Sequence, residues 1–302
     1  MSAIGLGGAP LSETPMVCER ERALATIHRA LDLGVTLIDT ALSYAPSWDT
    51  MGHNEALIAE AVRTYTGSAD LTGLVVATKG GITRGDGETW GRDGSADGLR
   101  RHCEASLRHL NVDVIELYHL HRHDPSRSYA EQVRALAALK DAGLVRRIGL
   151  SNVTVDELSV ALDIVGGPTE GGVASVQNEY SPRYRGAADV LDRCTESGVA
   201  FLAWSPLGGT EQAHDIGSRY AAFAEVGSEL GATPQEAVLA WLLRVSPVMI
   251  PIPGATRPVS IESSVRAAAL ELTDDQFARL QATKPTGESR YPDDMPRSSL
   301  GH

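Results

Sequence analysis

Residues 35–45 read VTLIDTALSYA. The first part of this stretch is a short apolar run, the pattern of a strand buried on both faces. The run stops on a carboxylate, Asp39, and a tyrosine follows at Tyr44. Burying an unpaired carboxylate costs on the order of several kcal/mol. Asp39 therefore needs a partner, and the rest of the chain decides which residue that is.

Seven further apolar runs accompany this one: AIGLG (3–7), LVVATK (74–79), DVIELYHLH (113–121), RRIGLS (146–151), GVASVQNE (172–179), VAFLAWS (199–205) and VMIPIPG (248–254). Segments of helical period lie between them, such as ERERALATIHRALDLG, EALIAEAVRTY and YAEQVRALAALKDAG. Strands alternating with helices imply βαβ units and a parallel sheet. Eight such units in 302 residues predict an α/β fold of the (β/α)8 TIM-barrel type, a single domain over residues 1–302. The stretch 206–247 exceeds one unit and predicts extra helices, the second opening on Thr233-Pro234 with Glu236 as a capping box. Residues 284–302 are polar and proline-rich, and are expected to form an irregular tail that adds a C-terminal loop over the active face. A doubly wound sheet is the runner-up, but it calls for G-x-G-x-x-G after the first strand, and GLGGAP fails that pattern.

Composition narrows the function classes. The net charge of −12 argues against a general affinity for nucleic acid or anionic membrane. Cys18, Cys103 and Cys194 are odd in number and far apart, without metal-ligand spacing, which suggests a reduced, cytoplasmic protein with no bound metal. No apolar run reaches the ~18 residues of a membrane span, and the N-terminus does not read as a signal peptide. Of 27 basic residues only Lys79, Lys140 and Lys284 are lysine.

In a barrel, chemistry gathers at the C-terminal ends of the strands. There the apolar runs give way to Gly7-Gly8, Asp39, Lys79, His121, Ser151-Asn152 and Gln177-Asn178. Strand alternation puts Val35, Leu37 and Asp39 on one face, Val75, Ala77 and Lys79 on one face of the next, and Leu117, His119 and His121 on one face of the fourth. If these faces point inward, Asp39 meets Lys79 and each neutralises the other's burial. A purely structural ion pair is the plain alternative. It is disfavoured because Tyr44 and His121 arrive at the same level, and because an arginine-rich chain would serve such a pair with an always-charged guanidinium.

A phenol with a pKa near 10 is a poor acid at neutral pH. A neighbouring Lys79 ammonium is expected to lower it, with Asp39 holding the ammonium charged and oriented. His121 could hydrogen-bond the oxygen of a carbonyl while Tyr44 protonates it. No side chain supplies hydride, so such chemistry needs a nicotinamide cofactor. A lyase forming a Schiff base on Lys79 is a second reading.

These segments, taken in order, resemble the aldo-keto reductases. LIDTALSYA is similar to that family's Asp-Thr-Ala-x-x-Tyr segment, VATK to its catalytic-lysine strand and IELYHLHRHDP to its catalytic-histidine strand. RRIGLSN, VQNEYSP, FLAWSPLGG and IPIPGATRP are similar to its cofactor segments, and the QNEYSP form points to a bacterial branch. The resemblance runs from about residue 3 to about residue 283.

The resemblance implies an NADP-dependent oxidoreductase that reduces an aldehyde or ketone, or oxidises the matching alcohol, with NAD(H) as the alternative cofactor. It implies catalytic Asp39, Tyr44, Lys79 and His121, with Tyr44 as the acid. His121 is selected over His119 and His123 by its distance from Asp124-Pro125; strand alternation alone leaves His119 and His121 open. It further implies that Ser151, Asn152 and Gln177 hold the nicotinamide carboxamide and that Trp204 stacks on the ring. Ser205, Leu207, Gly208 and Gly209 would line the pyrophosphate, and Gly7 and Gly8 would let the backbone approach the cofactor. Pro253, Gly254, Thr256, Arg257, Ser260, Ser263 and Ser264 would take the adenosine end. Serine at 260, where many relatives carry a basic residue, leaves Arg257 to hold a 2′-phosphate. Ser263 and Ser264 stand where relatives carry adenine-contacting residues. Some relatives of this fold act as redox-sensing partners of membrane proteins, so a non-catalytic nicotinamide-binding subunit is a third reading. A small carbonyl compound is the expected partner. Trp48, Arg84, Trp90, Arg122, Arg127 and Tyr291 lie in the loops expected to meet it.

Overall fold

The computed structural model describes residues 1–13 and 15–292; the part of the expected tail at 293–302 lies outside the described residues. The strands among the described residues are β1 (Leu6–Gly7), β2 (Leu37–Asp39), β3 (Val75–Gly80), β4 (Ile82–Gly85), β5 (Thr89–Arg92), β6 (Leu117–Leu120), β7 (Ile148–Ser151), β8 (Val173–Glu179), β9 (Ala200–Trp204) and β10 (Met249–Pro251). Eight of them form one parallel sheet in the order β1-β2-β3-β6-β7-β8-β9-β10. The sheet closes on itself: Gly5 N donates to Pro251 O at 3.0 Å and Gly7 N to Pro253 O at 2.9 Å. The result is the expected (β/α)8 barrel.

The outer ring contains α1 (Arg20–Asp32), α2 (His53–Thr64), α3 (Ala96–Leu110), α4 (Tyr129–Asp141), α5 (Val155–Val165), α6 (Ala188–Ser197), α7 (Ile216–Arg219), α8 (Ala221–Glu229), α9 (Pro234–Val245), α10 (Pro258–Arg266) and α11 (Asp274–Gln281). Alternation sorts the core. Leu37 joins Ala77, Leu117, Leu202 and Ile252 inside the barrel, whereas Ile38 faces α1 and α2. Thr233 caps α9 as its sequence suggests, and Glu236 returns the bond to the Thr233 backbone. Glu236 also accepts from Ser263 and Arg266, which ties α9 to α10. Among the described residues no helix is long and apolar enough to cross a membrane.

One element departs from expectation: Arg84 and Trp90, expected in a loop, lie on paired strands. β4 and β5 pair as an antiparallel hairpin closed by Asp86-Gly87-Glu88. Its signal is an Asp-Gly pair, where Gly87 takes a φ of 68°. Short runs with few apolar residues hide such a hairpin from a search for buried strands.

α2 buries a carboxyl group against β3. Glu55 is fully buried and accepts from Thr78 Oγ1 of β3 at 2.5 Å. Burial pushes its carboxyl up to about 7 from an ordinary value of 4.5. The folded protein thus holds the acid neutral where the unfolded chain ionises it. Stability from this group is complete below about pH 4.5 and declines as the pH rises to about 7. The full decline is on the order of 3 kcal/mol, at 1.36 kcal/mol per unit. Glu55→Gln keeps an acceptor for Thr78 without the charge. We expect wild type to lose stability relative to Glu55→Gln between these limits, measured by urea unfolding across the range; parallel curves would contradict this origin.

Candidate active site

The polar rim begins where the apolar barrel interior ends. Lys79, 1% exposed, sits on β3 and reaches back to Asp39 on β2, 3% exposed. Its Nζ donates to both Asp39 carboxylate oxygens at 2.8 Å, to Thr40 O at 2.8 Å and to the Tyr44 hydroxyl at 3.3 Å. The ammonium therefore has a carboxylate, a carbonyl and a phenol as its neighbours. Gln177 Nε2 from β8 donates to Asp39 Oδ1 at 2.7 Å. The partner that Asp39 requires is Lys79, reinforced by Gln177.

Thr40 is itself fixed. Its Oγ1 donates to Asn54 Oδ1 at 2.7 Å, while Asn54 Nδ2 donates to Gly8 O and Ser12 Oγ at 2.8 Å each. Asn54 is fully buried. This strut escaped the sequence reading because its contacts join residues more than ten apart on separate elements.

Tyr44 stands edge-on to His121, with ring centres 5.7 Å apart and planes at 80°. Ser43 Oγ lies 3.4 Å from His121 Nδ1. Burial, helped by the Lys79 ammonium, drives His121 well below the usual histidine range, so its imidazole is neutral. Burial pulls Lys79 down, but Asp39 and Tyr44 outweigh it and hold the ammonium above its ordinary value. Tyr44 corrects an expectation: burial raises its hydroxyl further than Lys79 lowers it, so the net shift is upward. The phenol keeps its proton at neutral pH.

The three histidines of the fourth barrel strand and its loop separate by geometry. His119, fully buried, points into the barrel one layer below and bonds Ser175 Oγ through Nε2 at 2.9 Å. Burial and the Lys79 charge depress it to about 3. A Cβ on Gly149 would sit 2.4 Å from its ring, so that glycine makes room for it. His123 is buried against Glu157, Nδ1 to Oε1 at 2.8 Å. Only His121 faces Tyr44 directly.

The expected cofactor residues line one side of this rim. Ser151 Oγ donates to Gln177 O at 2.9 Å, and Asn152 Nδ2 donates to His121 O and Ser151 Oγ at 3.0 Å each. Trp204 Nε1 donates to Asn152 Oδ1 at 3.1 Å, which fixes the indole beside them. Ser205, Gly208 and Gly209 have positive φ of 46°, 77° and 97°, a turn in which Gly208 is buried and Ser205, Leu207 and Gly209 are half-buried. Gly7 and Gly8 serve close packing: a Cβ would lie 2.8 Å from Ile252 O at Gly7 and 2.6 Å from Asn54 Oδ1 at Gly8. Pro253, Gly254 and Thr256 follow β10 toward α10, whose N-cap is the exposed Arg257. The Arg257 guanidinium makes no hydrogen bond or ion pair with another described residue, while its carbonyl accepts from the N–H of half-buried Ser260 at 3.0 Å. Ser263 and Ser264 direct their hydroxyls to Glu236 and to Ser260 O.

The described part of the tail crosses this surface. Ser289 Oγ and Arg290 N donate to Glu179 Oε2 at 2.8 Å each, and Arg290 Nη1 donates to Gly208 O at 3.0 Å. Tyr291 lies against Trp204, with ring centres 5.8 Å apart, and its carbonyl accepts from Arg122 Nη2 at 2.9 Å. Trp48 and Trp90 are 39% and 61% exposed on the adjoining loop and hairpin, while Arg127 pairs with Asp124 at 3.9 Å.

Comparison with known proteins gives the family. Residues 3–284 match the model of the aldo/keto reductase family. An uncharacterized oxidoreductase of Schizosaccharomyces pombe is 34% identical over 281 residues, covering 93% of this chain and 85% of that protein. The pyridoxine 4-dehydrogenase of Escherichia coli is 31% identical over 268 residues, covering 87% and 86%. A crystal structure of an aldo-keto reductase from Klebsiella pneumoniae in complex with NADPH superposes with a TM-score of 0.76 at 25% identity, covering 97% of this chain and 95% of that one.

Proposed function

This chain belongs to the aldo/keto reductase family and is an oxidoreductase; from that premise we propose that it transfers hydride between NADP(H) and a small carbonyl or alcohol. Tyr44 is the general acid in reduction. The carrying observation is Lys79 Nζ bonded to both Asp39 oxygens and reaching the Tyr44 hydroxyl at 3.3 Å, with His121 edge-on to the same phenol.

Tyr44 gives its proton to the carbonyl oxygen as negative charge develops there. Lys79 then stabilises the phenolate, and Asp39 and Gln177 keep the ammonium in register. With the Ser43 hydroxyl donating to His121 Nδ1, the ring carries its proton on Nε2, free to donate to the carbonyl oxygen. A bound nicotinamide would supply the hydride.

The residues present fit that cofactor. Asn152 and Trp204 are bonded into one polar corner beside His121, and Gly208 and Gly209 end the following turn on two residues without side chains. An unpaired guanidinium at a helix N-terminus suits a phosphate. A nicotinamide ring seated on the face of Trp204 that Tyr291 covers would have to displace Tyr291. The NADPH complex of the Klebsiella pneumoniae relative favours the phosphorylated form. The Escherichia coli relative, named for oxidising pyridoxine, recommends pyridoxal for a panel of aldehydes, ketones and sugars. Carbonyl-dependent oxidation of NADPH across that panel tests the reading; binding of NADPH with no turnover on any member would favour a non-catalytic subunit.

Arg257 gives the cofactor preference a separate test. Hydrogen bonds to charged groups contribute ~1.5–3 kcal/mol, or about 10- to 150-fold in affinity. Arg257→Ala is expected to weaken NADPH by that order and to leave NADH nearly unchanged, read by quenching of tryptophan fluorescence. The preference should shrink as salt rises, because the contact is exposed. Equal losses for both cofactors would remove Arg257 from 2′-phosphate recognition.

A further inference from the structure

The hairpin β4–β5 carries a side chain whose reach extends into the catalytic rim. Arg84 extends from β4 under the loop that holds Tyr44, and its side chain is 5% exposed. Its Nη1 donates to Ala45 O at 2.7 Å and approaches Ser43 O at 3.4 Å. These are the two carbonyls that flank Tyr44. The guanidinium is held from its other sides. Glu88, from the hairpin turn, bonds Nη2, and Trp90 of β5 lies with its ring centre 4.6 Å from the guanidinium carbon. Glu88 also accepts from Trp48 N at 3.0 Å, which pins the far end of the same loop.

A buried arginine with its Nε unpartnered carries a desolvation cost that surface solvation would remove. What it gains is a grip on one tripeptide, Ser43-Tyr44-Ala45. That tripeptide supplies both groups that address His121 and Lys79: Ser43 Oγ stands 3.4 Å from His121 Nδ1, and the Tyr44 hydroxyl 3.3 Å from Lys79 Nζ.

We infer that Arg84 is a positioning residue for Tyr44, and that the β4–β5 hairpin serves to deliver it. The inference rests on the reading of Tyr44 as the acid. Arg84 touches neither the reacting atoms nor the cofactor segments; it sets the phenol's distance and angle to Lys79 and His121 through the backbone on either side. A planar guanidinium suits this task because one fork can face two carbonyls while the other engages a carboxylate and the flat face stacks on indole.

A misplacement of about 1 Å at a reacting group can cost ~10²-fold in rate. Arg84→Ala is therefore expected to lower kcat by ~10²-fold while the dissociation constant for NADPH changes little. The pH profile of kcat should shift, since burial and, against it, the contact with the Lys79 ammonium set the phenol's titration, and a moved Tyr44 alters both. Added guanidinium or methylguanidinium should restore part of kcat in Arg84→Ala, and Arg84→Lys should retain more than Arg84→Ala because an ammonium can still reach one carbonyl. Glu88→Gln, which loosens the guanidinium while leaving it in place, should give a smaller loss of the same kind, and keeps the test open should Arg84→Ala not fold. Tyr44→Phe separates the two claims. An inactive Tyr44→Phe beside an Arg84→Ala and a Glu88→Gln of undiminished kcat would overturn the positioning role alone. So would a loss in Arg84→Ala that guanidinium does not relieve and that follows a lowered melting temperature. Wild-type turnover in Tyr44→Phe would overturn the reading of Tyr44 and this role with it.

Discussion

Tyr44→Phe is expected to lower kcat by ~10²–10⁴-fold, the usual contribution of a general acid, and to leave NADPH binding nearly intact. The hydroxyl's neighbours explain both halves of that result. Within the protein it touches Lys79 Nζ and no residue of the cofactor segments. Its ring packs edge-on to His121, and phenylalanine preserves that contact. Removing the oxygen takes away the proton donor while the barrel, the Asp39–Lys79 pair and the Trp204 corner stay in place. Burial holds the phenol above its ordinary pKa, so the wild-type group is protonated at neutral pH and, in the proposed mechanism, delivers its proton only as charge builds on the carbonyl oxygen. Stopped-flow turnover together with cofactor titration checks both halves. A variant with wild-type kcat would remove Tyr44 from the mechanism.

Lys79→Met should damage stability as well as rate. It leaves the Asp39 carboxylate buried, with Gln177 as its remaining side-chain donor, and strands the Thr40 carbonyl. Breaking a buried ion pair from one side costs ~3–5 kcal/mol, whereas replacing both partners is far milder. Asp39→Asn combined with Lys79→Met should therefore recover part of the lost stability and none of the activity. Urea unfolding of the wild type, the single variant and the double variant reads this out. A double variant no more stable than Lys79→Met would show that the 2.8 Å contacts do not reflect a coupled pair.

The barrel was legible because strand alternation leaves a two-residue signature. Leu37 and Asp39 had to share a face opposite Ile38, and the structure sends Leu37 and Ile38 into different clusters. The same rule brought Asp39 to Lys79 across adjacent strands. It could not rank His119 against His121, since both point inward; only depth separates them, and depth follows from strand register and from the space at Gly149. The sign of the Tyr44 shift was also beyond the sequence, because it depends on how much solvent the folded walls exclude. The hairpin was missed for a different reason. β4 is half-buried and β5 mostly exposed, so their only signals were the Asp86-Gly87 turn and an arginine whose partners lie some forty residues earlier. Residues that act through backbone carbonyls, such as Arg84 and Thr40, leave no motif of their own.

The most direct test of the account is the fate of the hydride. NADPH deuterated at the transferring position is incubated with the protein and a panel of aldehydes and ketones, and products and protein are weighed by mass spectrometry. The account predicts an alcohol carrying one deuterium on the former carbonyl carbon, absent with Tyr44→Phe, and an unmodified Lys79. Product without deuterium, or borohydride trapping of substrate on Lys79, would contradict it.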